Sequence, residues 1–113
     1  MMYAKYLRER EGKEVLEHEH GFTIYGYNCV PGLDFPHCYI QDNWVEPAHR
    51  KKGIAREMAD TIAAQAKAGG FRIMMGSVDG NAKGAHESML VLIAYGMKLY
   101  TISGSTAWFS KEL

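Results

Sequence analysis

Between residues 54 and 66 apolar side chains recur at steps of three and four, through Ile54, Ala55, Met58, Ala59, Ile62, Ala63 and Ala66. That spacing predicts a helix with one apolar stripe, stopped by Gly69-Gly70. The segments on either side follow a different rule. Residues 38–45 read as a strand ended near Pro47, with Cys38, Ile40, Asp42 and Trp44 on one face and Tyr39, Gln41, Asn43 and Val45 on the other. Residues 71–78 are apolar with almost no alternation, as expected of an interior strand covered on both faces and parallel to the strand before the helix. Together these segments predict a central βαβ unit. Upstream, residues 3–30 read as short strands, with 15–20 and 22–27 paired as a hairpin around Gly21. Downstream, a loop holding Asp79-Gly80-Asn81 and Gly84 leads to a shorter helix over residues 86–95, whose Met89, Leu92 and Ile93 share a face. Residues 99–102 and 106–111 read as a terminal hairpin around Ser103-Gly104-Ser105. The expected fold is α/β of the α+β kind: one domain over 1–113, a mixed and mostly antiparallel sheet, and two main helices.

Composition narrows the function classes. The 113 residues are 47% hydrophobic and 23% charged, enough for one core without covalent staples. Thirteen Lys+Arg balance thirteen Asp+Glu, so no global field draws the chain to nucleic acid or an anionic membrane. Cys29 and Cys38 lack the paired spacing of a zinc site and fit a reduced, cytoplasmic setting. No window approaches a membrane span, and the charged first residues do not form a secretory leader. Glu17-His18-Glu19-His20 offers two histidines on one strand face; two ligands do not complete a metal site, so none is expected. Met58, Met74, Met75 and Met89 fall on core faces.

One segment breaks a local rule. A helix start carries unpaired N–H groups and about half a positive charge, which favours Asp or Glu. Here Arg50, Lys51 and Lys52 precede Gly53, Ile54 and Ala55. An anion resolves the conflict: N–H groups donate to its oxygens, the cations neutralise it, and Gly53 lets the backbone approach. A solvated basic patch explains the charges but not their coupling to Gly53.

The pattern Trp44-Val45-x-Pro47-x-x-Arg50-x-x-Gly53-Ile54-Ala55 resembles the acyl-CoA signature of the Gcn5-related N-acetyltransferases (GNAT), and the order of elements resembles that superfamily from about Val15 to Leu113. Gly76-Ser77-Val78 and Tyr95-Gly96-Met97 look most like small bacteriophage-encoded members. The resemblance implies acetyl-CoA as cosubstrate, Arg50, Lys51, Lys52, Gly53, Ile54 and Ala55 as its pyrophosphate loop, and Trp44 and Val45 as strand residues whose backbone pairs with the pantetheine arm and acetyl carbonyl. It implies direct acetyl transfer to an amine acceptor, a small molecule or protein, in a ternary complex. Two departures stand out. Only about forty residues precede the signature strand, a shortened N-terminus with little room for the family's usual pair of helices. The family's frequent proton-donating tyrosine falls on Leu92, with Tyr95 displaced by nearly a turn.

Transfer needs a neutral amine and a route for its proton. Asp42 is the first candidate base, because the strand pattern puts it among Cys38, Ile40 and Trp44, where apolar neighbours make a carboxylate a better proton acceptor. His86 could shuttle a proton and Ser88 could bond the cofactor sulfur, both from the start of the second helix; solvation and capping are their ordinary roles. Neither cysteine has a base at motif spacing, so no covalent intermediate is expected. The alternative function is a catalytically silent CoA-binding or interaction module. A nucleic-acid binder using Arg50, Lys51, Lys52 and Arg56 is disfavoured by the zero net charge. A homodimer would hide an exposed sheet edge.

Overall fold

The computed structural model describes residues 2–113. The chain opens with α1, Met2–Glu11, where the sequence pattern anticipated strand. Leu7 is its one buried residue, at 2% exposure, so a single anchor rather than an apolar stripe holds this helix. Good helix formers such as Ala4, Lys5, Leu7 and Arg8 dominate the segment, and Gly12 ends it in the left-handed region. Strands β1 (Glu14–His18) and β2 (Gly21–Tyr27) form the expected hairpin. Its turn starts earlier than anticipated: β1 stops at His18, and the His20 N–H folds back to donate to His18 Nδ1 at 3.0 Å. His18 and His20 therefore do not share a strand face.

Next come β3 (Cys38–Val45), the 3-10 turn Pro47–His49, α2 (Ile54–Ala68) and β4 (Ile73–Asp79). Helix α3 (Ala85–Ala94) and the hairpin β5 (Lys98–Ser103) and β6 (Thr106–Glu112) complete the fold. The strands form one six-stranded sheet in the order β1-β2-β3-β4-β6-β5. Only β3 and β4 run parallel, so the expected βαβ unit sits at the centre of a mostly antiparallel sheet. Helices α2 and α3 lie on the same face, joined where the Tyr95 hydroxyl donates to Asp60 Oδ1 at 2.7 Å. Between helices and sheet, Ile62 and Ala66 of α2 and Cys38 and Met74 of the strands are completely buried. Met89 and Leu92 pack against this core, but Ile93, expected to share their face, is half exposed. Strand β5 is an exposed edge along its whole length. No helix among the described residues is long and apolar enough to cross a membrane.

One irregularity repositions side chains. The β2–β3 register shifts between Ile24 and Tyr25, which pair with Asp42 and Ile40 and leave Gln41 unmatched. A bulge of this kind reverses the alternation beyond it. Cys38 and Ile40 face α2, while Asp42 and Trp44 face the other way with Phe22 and Ile24, so the four do not share a face as the uninterrupted pattern predicted.

Candidate functional site

Strands β3 and β4 pair only over Cys38–Ile40 and Met74–Gly76, although β3 continues to Val45 and β4 to Asp79. Beyond Ile40 and Gly76 they diverge, and a wedge opens at their carboxyl ends, where ligands of parallel α/β units bind. Both following helices begin at this end. Each starts at a left-handed glycine, Gly53 at φ 83° and Gly84 at φ 80°, and neither start is capped by a side chain. The first N–H groups of α2 are thus available to an anion.

The register says which β3 backbone groups face the wedge. Glu46 N–H donates to the His20 carbonyl at 2.8 Å, so Trp44, two residues earlier, also directs its N–H and C=O at β2. Asn43 and Val45 direct theirs into the wedge. Of the two strand residues named from the sequence, Val45 has its backbone on this free edge and Trp44 has its own on the β2 side; Asn43 shares the free edge with Val45. Sequence reasoning missed Asn43 because alternation identifies side-chain faces, not which edge still has a neighbour. The Asn43 side chain donates from Nδ2 to the Ala55 carbonyl at 3.2 Å, while its buried Oδ1 has no hydrogen-bond partner. An orphaned acceptor beside the start of α2 fits a ligand carrying an amide N–H.

The basic loop fits the same kind of ligand. Arg50 turns back, donating from Nε to the Val45 carbonyl at 2.9 Å and bracing the loop against β3. Lys51 adopts φ 63°, a conformation a non-glycine residue holds only at some cost. Among the described residues, Arg50, Lys51 and Lys52 pair with no carboxylate. Glu57, the acid in the first turn of α2, sits 3.8 Å from His18 instead. A side chain added at Gly53 would meet no atom within 4 Å, so the space before the helix start is open. Ile54 and Ala55 form the first turn behind it.

The candidate proton-handling residues separate. Asp42 is exposed on the face opposite α2, so the apolar enclosure expected around it is absent. Ser88 is exposed and lies seven residues before Tyr95, on the same side of α3. His86, two residues before Ser88, is carried more than half a turn away, so the pair cannot address one atom together. Leu92, at the position of the family's tyrosine, packs against Gly76. The Tyr95 hydroxyl is committed to Asp60, and burial, then that bond, pushes its pKa well above the ordinary tyrosine range. Burial likewise pushes the Cys38 thiol up to about 12, which removes it as a nucleophile near neutrality.

On the opposite face of the sheet lies an open hollow of about 710 Å³ between the loop after β2 and the β5–β6 hairpin. Val30, Leu33, Met75, Tyr100 and Trp108 give it apolar walls, and Thr101 and Ser103 add hydroxyls. Trp108 packs at a tilt against Tyr39, whose hydroxyl lies 2.8 Å from Ser77 Oγ where β3 and β4 begin to part. The hollow therefore adjoins the wedge. The loop forming its rim is pinned by His37, buried to 1% exposure. His37 Nδ1 donates to the Phe35 carbonyl at 2.9 Å and Nε2 accepts from Val30 N–H at 3.2 Å, which together specify one neutral tautomer.

Residues 3–88, more than half of the chain, match the model of the acetyltransferase (GNAT) family. No curated protein matches the sequence. Among solved structures, the fold is similar to an acetyltransferase from Thermus thermophilus, with TM-score 0.78, 14% identity, and coverage of 99% of this chain and 71% of that one. It is also similar to a GNAT family acetyltransferase from Elizabethkingia anophelis with acetyl-CoA bound, at TM-score 0.70 and 14% identity, covering 99% and 82% of the two chains. A GNAT family protein from Desulfovibrio desulfuricans aligns at TM-score 0.71 and 15% identity over 86% of this chain. This chain spans 64% of that protein's length, slightly less than two thirds. At such identities the likeness establishes the shared fold.

Proposed function

Because this chain belongs to the acetyltransferase (GNAT) family, we propose that it transfers an acetyl group from acetyl-CoA to an amine acceptor, directly and within a ternary complex. One observation carries the reading: the diverging ends of β3 and β4, the uncapped start of α2 and three cations with no carboxylate partner among the described residues coincide at one end of the sheet. Bound there, acetyl-CoA supplies the acetyl group as a thioester already activated for attack. Lys51, Lys52 and the N–H groups of Gly53, Ile54 and Ala55 hold its diphosphate, and Arg50 keeps the loop against β3. Asn43 and Val45 orient the arm through their backbone, with Asn43 Oδ1 accepting from an amide N–H.

The acceptor occupies the hollow on the opposite face. With no charged side chain among its lining residues, this hollow suits an amine on an apolar body better than a polycation or a nucleotide. Asp42 shares that face and receives the amine proton as general base; Ser88 approaches the thioester from α3. We take His86 to be a solvated residue of the helix start. We further propose that the chain is one of the small bacteriophage-type members, on the likeness of Gly76-Ser77-Val78 and Tyr95-Gly96-Met97, and that it acts in the cytoplasm, which suits its two free cysteines.

Isothermal titration provides the test. Acetyl-CoA is expected to bind saturably, and Lys51→Glu with Lys52→Glu is expected to weaken binding by about a hundredfold, from two reversed charges beside a diphosphate. Unchanged affinity in a folded double variant would refute the assignment. Binding without CoA-thiol release across amines of graded hydrophobicity would instead identify a silent CoA-binding module.

A further inference from the structure

Three ligand-type side chains meet beside the basic loop, brought together by two turns. His20 lies in the β1–β2 turn, Glu46 directly follows β3, and His49 closes the 3-10 turn. The backbone sets their proximity: Glu46 N–H donates to the His20 carbonyl at 2.8 Å, and His49 N–H to the Glu46 carbonyl at 2.9 Å. His20 Nδ1 is 3.6 Å from Glu46 Oε1, and the His20 and His49 rings stack at 3.5 Å between centroids. One donor atom from each of the three residues lies within 4.8 Å of the other two. Among the described residues, neither imidazole makes a hydrogen bond through its ring; the carboxylates facing His20, those of Glu46 and Glu19, stand at 3.6 and 3.9 Å.

We propose that His20, Glu46 and His49 form a site for a divalent transition-metal ion of the zinc class. Two imidazole nitrogens and a carboxylate oxygen are a donor set such ions take, with water completing the coordination. Bonds of about 2.0–2.1 Å in tetrahedral geometry place donor atoms about 3.3 Å apart. The His20–Glu46 pair is already near that spacing. The rings, only 9° from parallel, direct their lone pairs along separate planes, so one must turn about its Cβ–Cγ bond to share an ion. His49 has the freedom to do so, standing on a three-residue surface turn in which no residue is buried.

His18 is outside the site, because its Nδ1 accepts the His20 N–H and its Nε2 faces Glu57 at 3.8 Å. The site is thus not the His18–His20 pair visible in the sequence. It uses one of those histidines and two residues separated from it by the whole of β2 and β3. Occupied, it would tie the β1–β2 turn to the connection that leads into Arg50–Gly53.

The test uses the whole chain after chelator treatment and needs no acetyl-CoA. Titration with Co²⁺, read by its visible absorption, and Zn²⁺ competition against a chromophoric chelator are expected to show one equivalent bound. His20→Ala and His49→Ala are each expected to weaken Zn²⁺ binding by about a hundredfold, Glu46→Gln by about tenfold, and His18→Ala hardly at all. Circular dichroism establishes that each variant remains folded. Absence of binding at micromolar metal, equal affinity in a folded His20→Ala/His49→Ala variant, or an equal loss in His18→Ala would overturn the proposal.

Discussion

At Tyr95 the resemblance to acetyltransferases and the packing of this chain diverge. It stands nearly a turn from the position of the family's proton-donating tyrosine, its hydroxyl is committed to Asp60 on α2, and Lys111 Nζ lies 3.8 Å from its ring centroid. Lys111 also donates to the Tyr95 carbonyl at 2.8 Å, so the residue joins α3 to α2 and to β6. Tyr95→Phe should cost about 1 kcal/mol of stability in urea denaturation, the net worth of one hydrogen bond, and leave kcat for CoA-thiol release within about twofold. A tenfold loss of kcat at unchanged stability would restore the catalytic role. Asp42 makes the complementary point. Its identity as a carboxylate on the signature strand was legible, but its surroundings depended on one unmatched residue, Gln41, that no alternation rule reveals.

Among the elements, the central βαβ unit and the terminal hairpin were legible because each is written in its own periodicity: an apolar stripe in α2, an apolar run in β4, and turn residues between β5 and β6. Helix α1 was not, because one buried leucine carries no period. The loop after β2 looked merely breaker-rich, and its order comes from tertiary contacts to a residue the sequence did not single out. His37 bonds Val30 and Phe35 through its ring, while its N–H donates to Asn28 Oδ1 and its carbonyl accepts from Asn28 N–H. Replacing His37 by Ala leaves two loop backbone groups without partners and should cost about 2–3 kcal/mol. Since that loop forms one wall of the hollow, the acceptor KM should rise more than the acetyl-CoA affinity falls. Equal losses in both, or a stability change within about 0.5 kcal/mol, would disprove this coupling.

For the molecule as a whole, three tyrosines and one thiol packed into or against the core share one direction. Burial raises the pKa of Tyr25, Tyr27, Tyr95 and Cys38, the last from 9.0 to about 12. Each is held neutral when folded, so the unfolded chain releases these protons first and binds fewer of them in alkali. Their contribution to stability is complete below about pH 9 and is lost as pH rises through the folded values. Urea midpoints should be level between about pH 7 and 9 and fall steadily from about pH 10 to 12; a midpoint that rises across that interval would contradict the assignment. The sequence alone determined the helices and strands of the centre, the basic loop before α2 and the family, because periodicity, turn chemistry and a charge conflict are properties of neighbouring residues. Only the tertiary structure decided where β3 and β4 part, which backbone edges they leave free, how the bulge turns Asp42 and Trp44 over, and that His20 meets Glu46 and His49, because pairing between distant segments depends on register and packing that no local pattern encodes.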